Sequence, residues 1–450
     1  MNSRRFACSL IASGACFVAS VSTMLAQKDT ADILVQVLVQ KGILSEAEAS
    51  EIRQEVAVAA AQQKADIVEA VVAEGGSSFV SGDAHRYIPM PSKLGGLKLY
   101  GDARFRYQYE NAKKIRSGAN KDRSRWRYRA RFGAEYDFLE SGFSMGARFE
   151  TASANDSTNA NFGNVFDKNG SGLYIGRIYL DYEGEDWSVR LGKQGSPFTL
   201  PKAIWDSDLN PEGITERFTL GGVPVTLGQY IVDEEDERGA LVGGPNVGDD
   251  FLLVAQTEIQ AGEVELSPFA MVSTGGISTE SENGSFSGEN GNNYFRNFLV
   301  VGVPFEFSFD LAGQKAGIYG SWGVNLKGDD AVNDPTSPYF AGVADNSSQN
   351  QFGTLGLKIG SGKKAGESKW SLEYRYLEAA SFSPNFTDSD FGKGHTNQAG
   401  FVFGYTYAVT DFLFSTLTYM DSQAIDEGYR GKAGDNGDVK VLQLDASVKF

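Results

Sequence analysis

The chemistry of this chain begins with arginines set two apart. Arg123, Arg125, Arg127, Arg129 and Arg131 alternate with Ser124, Trp126, Tyr128, Ala130 and Phe132. Period two is the repeat of an extended strand, so five guanidinium groups share one face and the aromatics take the other. Upstream, Arg104 and Arg106 interleave with Phe105, Tyr107 and Tyr109; downstream, Arg148, Arg177 and Arg190 continue the row. A row of fixed positive charge beside water attracts anions and raises their local concentration. Opposite charge is available in the stretch WDSDLNPEG, where Trp205, Asp206, Asp208, Asn210 and Glu212 sit among loop-forming residues. Carboxylates held across a narrow opening from the arginines would set up a transverse field. Such a field orders water, disfavours large apolar solutes and passes small hydrated ones. A structural reading of the arginines stands beside this one, in which they pair with loop acids and brace a wall. Asp206 and Asp208 could also hold Ca²⁺, but no full ligand set accompanies them, and neither a metal nor a cofactor is expected.

Arginines two apart need strands to carry them, and the strands must face water on one side only. Each arginine turned to hydrocarbon at the midplane of a bilayer would cost about 2–4 kcal/mol, so in a membrane wall the row faces a lumen. From Leu97 onward the chain reads as period-two segments of roughly 8–14 residues, the length range of membrane strands. Their connections alternate in length. A long basic loop separates Leu97–Tyr109 from Arg123–Phe138, and another long one precedes Gly172. Further long connections cover 194–213, 233–249, 274–292, 328–349, 380–396 and 423–437. Short ones fall at 139–142, 184–186, 221–224, 259–262, 310–314, 360–367 and 408–411. This parity predicts an all-β transmembrane antiparallel barrel of about 16 strands, with long loops at one end and both chain ends at the other. The last strand, with Leu442, Leu444, Ala446 and Val448 on one face and Gln443, Asp445, Ser447 and Lys449 on the other, ends on Phe450. An aromatic there suits an interfacial girdle, and Phe450 is expected to act as an assembly signal for the barrel-insertion machinery.

Residues 1–26 read as a signal peptide: Arg4 and Arg5, an apolar stretch to Leu25, and a small-residue site at Ala26. Ser13 argues against lipidation of Cys16, and a barrel that crosses unfolded argues against a twin-arginine signal. Both cysteines, Cys8 and Cys16, lie inside this segment, so disulfides are not expected in the mature chain. Residues 27–75 carry helical spacing, with a capping box at Ser45 and Glu48, and read either as a periplasmic coiled coil or tether, or as a helical plug. Residues 76–96 form a linker containing Pro89 and Pro91, and the barrel occupies 97–450. No run of 18 apolar residues follows Ala26, which excludes spanning helices. Mean hydropathy is −0.28 although the chain holds 30 Phe and 19 Tyr, as suits a barrel whose apolar half is hidden in alternation. Removing Arg4 and Arg5 from 41 basic residues leaves 39 against 58 acidic ones, a balance of −19 that argues against nucleic acid as a partner. An enzymatic barrel needs a base beside a nucleophile, and only His85, in the linker, and His395, at a loop edge, are available.

The stretches WDSDLNPEG and RSRWRYRARFG, with LVQKGILSEAEA near the N-terminus and the terminal aromatic, resemble the bacterial outer-membrane "putative porin" family. The resemblance covers about Asp32 to Phe450. It implies a general diffusion channel for small hydrophilic solutes and ions in outer-membrane lipid, a homotrimer, and a third long loop folded into the lumen. A looser likeness is to phosphate-selective porins, although lysines on the later strands look sparse for that role. An envelope-anchoring protein, tethered through its N-terminal helix, is the competing function.

Overall fold

The computed structural model describes residues 96–450 except 115–117, 139–140, 153–157, 163–171, 234–249, 274–297, 329–348 and 427–435, with a short bridge at Tyr87–Ile88. The expected signal peptide (1–26), the helical segment (27–75) and most of the linker lie outside the described residues. Strands β1 to β6 are Leu97–Lys114, Asn120–Asp137, Phe143–Ala152, Gly172–Glu183, Trp187–Lys193 and Glu212–Leu220. β7 is Val223–Asp233, and β8, Asp250–Thr257, is extended by Ile259–Ala261. β9 joins Val264–Leu266 to Phe269–Ser273; β10 to β13 are Leu299–Leu311, Gln314–Asn325, Gln351–Gly360 and Ser368–Leu377. β14 to β16 are Gln398–Ala408, Leu413–Ala424 and Asn436–Lys449.

Each strand pairs antiparallel with its sequence neighbours, and β16 returns to β1, with Asp102 opposite Lys449 and Arg106 opposite Asp445. The result is a closed barrel of sixteen strands with no free edge, the condition for a sheet to sit in lipid. The connections keep the predicted parity. One end carries short turns such as 184–186, 221–222 and 312–313, and the other carries 194–211, 326–350 and 378–397. Two short turns show how the sequence sets them. Gly221 and Gly222, at φ +60° and +85°, form a two-residue hairpin that demands left-handed backbone at both positions, and Ala312–Gly313 makes the same turn at +51° and +79°. The first hairpin corrects the sequence reading: β1 and β2 run on to Lys114 and from Asn120, so most of the expected long basic loop is strand.

The outer face is apolar, with Phe105, Trp126, Leu191, Trp322, Leu355 and Phe401 all exposed. At the short-turn end, Tyr136 packs on Phe138, and Tyr182 packs on both Phe143 and Trp187, at ring separations of 4.7–5.1 Å. Such a band is an interfacial girdle. The inner face is not polar all round. Leu252, Val254, Met271, Val300 and Phe352 point inward and pack with Ile204, Trp205 and Phe382 from two connections, so an apolar core lies inside the barrel.

Candidate functional site

The two connections that enter the barrel are L3 (194–211) and L7 (378–397). L3 is anchored at its start to β8, where Gln256 accepts from the Thr199 N–H at 2.8 Å and donates to the Thr199 carbonyl at 2.9 Å. A turn at Pro201 accepts from the Ile204 and Trp205 N–H groups, and sets both side chains against the inward apolar wall. L7 is tied down by Asn325, which donates to the Ala380 carbonyl at 2.8 Å, and by Thr396, which donates to the Ala379 carbonyl at 2.8 Å. L3 and L7 meet in the lumen. The Trp205 indole stacks on Phe386 at 5.7 Å, the Asp206 N–H donates to the Phe386 carbonyl at 2.7 Å, and the Ser389 N–H donates to Asp206 Oδ2 at 3.0 Å. Phe298 and Phe382 close the aromatic cluster around Phe386. Folding of L7 into the lumen was not anticipated from the sequence. Its signal is in β8 to β10, whose runs FLLVA, FAMV and LVVGVPF are apolar at successive positions, the pattern of strands covered on both faces.

The arginines facing inward form two groups. Arg104, Arg106, Arg127 and Arg129 line an open hollow of about 580 Å³, shared with Asp206, Asp208, Asp388 and Asp390. Arg106 is gripped by both oxygens of Asp445, at 2.7 and 2.8 Å, and reaches Asp390 at 3.4 Å. Arg129 pairs with Asp102 at 3.0 Å and Asp208 at 3.4 Å. Arg104 is different: it donates to Asn159, and its nearest carboxylate, Asp445 at 3.9 Å, is already held by Arg106. Its Nε is buried with no hydrogen-bond partner among the described residues. The second group braces the wall. Arg131 pairs with Asp102 at 2.6 Å, Arg148 with Glu150 at 2.7 Å and Arg190 with Asp181 at 2.5 Å, while Arg177 donates to Asn210 Oδ1 at 2.8 Å. Arg148 and Arg177 thus hold L3 through Asn210. Arg125 pairs with Glu110, which also takes Lys393 of L7 at 2.9 Å. Arg123 is exposed near the long-loop end of β2.

The acids of 205–213 part company. Asp208 faces the arginines; burial pushes its carboxyl up, but Arg129, Arg131 and Arg104 hold it well below the usual carboxylate range. Asp390 behaves alike, with Arg106 foremost among the charges that overcome its burial. Asp206 is raised to about 7 by burial and by the Asp388 and Asp208 carboxylates, against the two backbone N–H groups it accepts. Arg375 bridges Glu373 at 2.9 Å and Asp388 at 2.7 Å. Glu212 departs from expectation: it opens β6 and pairs with Lys193 at 2.7 Å, an outward pair because Leu191 and Ile214, two residues along on each strand, are exposed. His395 is buried within L7, not at a surface edge. Phe450 pairs with Gly101 by two backbone hydrogen bonds of 2.9 and 3.0 Å, beside the closing seam.

Residues 110–232 and 336–450 match the model of a family described as Putative porin. No curated protein matches the chain. Similar solved structures include a triple mutant of Rhodopseudomonas blastica porin, 12% identical over 79% of this chain and 100% of that one, with a TM-score of 0.44. Another is OprB of Pseudomonas putida at high pH, 10% identical over 79% of this chain and 94% of that one, TM-score 0.49. A third is an anion-selective porin from Comamonas acidovorans, 12% identical over 79% of this chain and 99% of that one, TM-score 0.45.

Proposed function

The chain belongs to the Putative porin family, and from that premise we propose that its water-filled barrel passes small hydrophilic solutes with a preference for anions. Membership makes the protein a passive diffusion channel of the bacterial outer membrane, not an enzyme. The preference rests on Arg104, a cation beside the hollow whose one ion pair among the described residues is a 3.9 Å contact with Asp445, a carboxylate already held by Arg106. Arg127, which donates to Gln108 at 3.0 Å, adds to the positive side of the opening. Asp208 and Asp390 face them, so a solute at this level meets the transverse field. The fixed charges act in water confined by protein, where each is worth more than on an open surface.

On the same reading, residues 1–26 direct export, 27–75 lie in the periplasm, and the short-turn end of the barrel is the periplasmic end. Three barrels associate, lipid covers the remaining outer face, and Phe450 is read by the insertion machinery. Planar-bilayer recording in a KCl gradient tests the selectivity. The wild type is expected to favour chloride, and replacing Arg104, Arg127 and Arg129 by Gln should lower the anion-to-cation permeability ratio on the order of three-fold per charge at low salt. Strong cation preference in the wild type would overturn the reading, because the acids would then govern the lumen.

A further inference from the structure

Three lysines line the same hollow: Lys202 of L3, Lys358 of β12 and Lys369 of β13. The strand register places Lys358 opposite Ser371 and Lys369 opposite Gly360. Lys358 and Lys369 are therefore diagonal neighbours on the inward face, at a spacing of about 7–8 Å between their Cα atoms. Lys202 approaches from the loop side closely enough for its charge to act on Lys369. Like charges so placed repel by about 0.5 kcal/mol per pair even in water. Glu306 neutralises Lys358 at 2.5 Å, with Glu265 opposite Glu306 across the strands. Lys202 and Lys369 have no ion pair among the described residues. Lys369 is the second residue of β13, next to a short turn, whereas Arg104 is seven residues into β1 from its own short-turn end. The hydroxyls of Ser371 and Thr406 line the hollow beside it.

We propose that Lys202 and Lys369 form a second anion station near the short-turn end of the lumen, suited to small oxyanions with two or more negative charges. The proposal rests on the anion-preferring reading above and adds a ligand class and residues to it. A divalent anion between the two ammonium groups replaces their mutual repulsion with two attractions, and nearby hydroxyls can donate to its oxygens. A monovalent anion gains about half as much from each lysine, so the station discriminates by charge. The arginines and the lysines then act in sequence on an anion crossing the hollow.

The test is block of the single-channel chloride current by inorganic phosphate at pH 8, where the divalent form dominates. Half-block of the wild type is expected at a phosphate concentration on the order of thirty-fold lower than in the K202Q/K369Q double variant, the factor for losing two attractions of about 1 kcal/mol. K369R, which keeps the charge, should retain wild-type block, and K202Q alone, a loop substitution outside the sheet, should show part of the loss. Equal half-block in the wild type and the double variant would overturn the lysine station while leaving anion preference standing. Cation preference in the wild type would instead remove the reading on which it rests. Arginine-to-glutamine variants that lose chloride preference yet keep lysine-dependent phosphate block would establish the two stations as separate.

Discussion

Asp206 holds L3 and L7 together through hydrogen bonds that no guanidinium supplies. Its oxygens accept the N–H groups of Asp208 and Ser389, both at 3.0 Å, and its carboxyl is raised to about 7. Between the ordinary carboxylate range, near 4, and about 7 the native protein holds a proton that the unfolded chain has lost. The junction therefore weakens as pH rises through that window, and above it Asp206 is charged beside Asp208 and Asp388. Asp208 and Asp390 carry the opposite sign: their depressed values stabilise the fold above the ordinary carboxylate range and lose effect only in strong acid. Channel conductance is expected to be larger and noisier at pH 8 than at pH 5, and D206N should hold the acid behaviour at both. The same pH response in D206N and wild type would assign the effect to another group. At this scale the inward direction of Arg104, Arg106, Arg127 and Arg129 was legible from alternation alone. The division of the arginines into pore-facing and bracing groups was not, because it depends on Asp102, Asp181 and Asn210, which reach Arg131, Arg190 and Arg177 from other elements.

L3 and L7 close the lumen as a pair, and the stacking of Trp205 on Phe386 is the contact between them that most resembles a core. Removing either ring deletes buried aromatic packing worth about 3–5 kcal/mol. W205A and F386A should each loosen the constriction, so that vesicles carrying the variants swell in oligosaccharides too large for the wild type. The barrel should still fold and close, since its strand ladder does not pass through either loop. Unchanged exclusion size in both variants would show that the narrowing lies elsewhere. L3 could be expected inside from the resemblance and its place in the loop order. L7 could not, since its residues are ordinary loop formers; only the doubly apolar strands β8 to β10 announced that something covers that wall.

In the whole barrel, closure depends on the seam between β16 and β1. Phe450 lies over Gly101, where a Cβ would come within 2.6 Å of the Phe450 ring and 2.7 Å of the Arg131 carbonyl. G101V should therefore displace the terminal aromatic, and both G101V and deletion of Phe450 should lower the yield of folded, heat-resistant barrel in cells. The unit conductance of the channels that do form should stay near the wild-type value; normal yield from both variants would remove the seam contact from assembly. Strand number, loop parity and the lipid-facing surface were determined by the sequence itself. Each follows from period two and turn residues, which act between neighbours along the chain and across one hairpin. Only the tertiary structure decided that L7 enters the lumen, that Glu212 leaves the constriction for the outer wall, and that Lys202 joins Lys358 and Lys369. These arrangements unite residues distant in sequence around a closed circumference, and their energies come from burial and charge at short range, which no local pattern encodes.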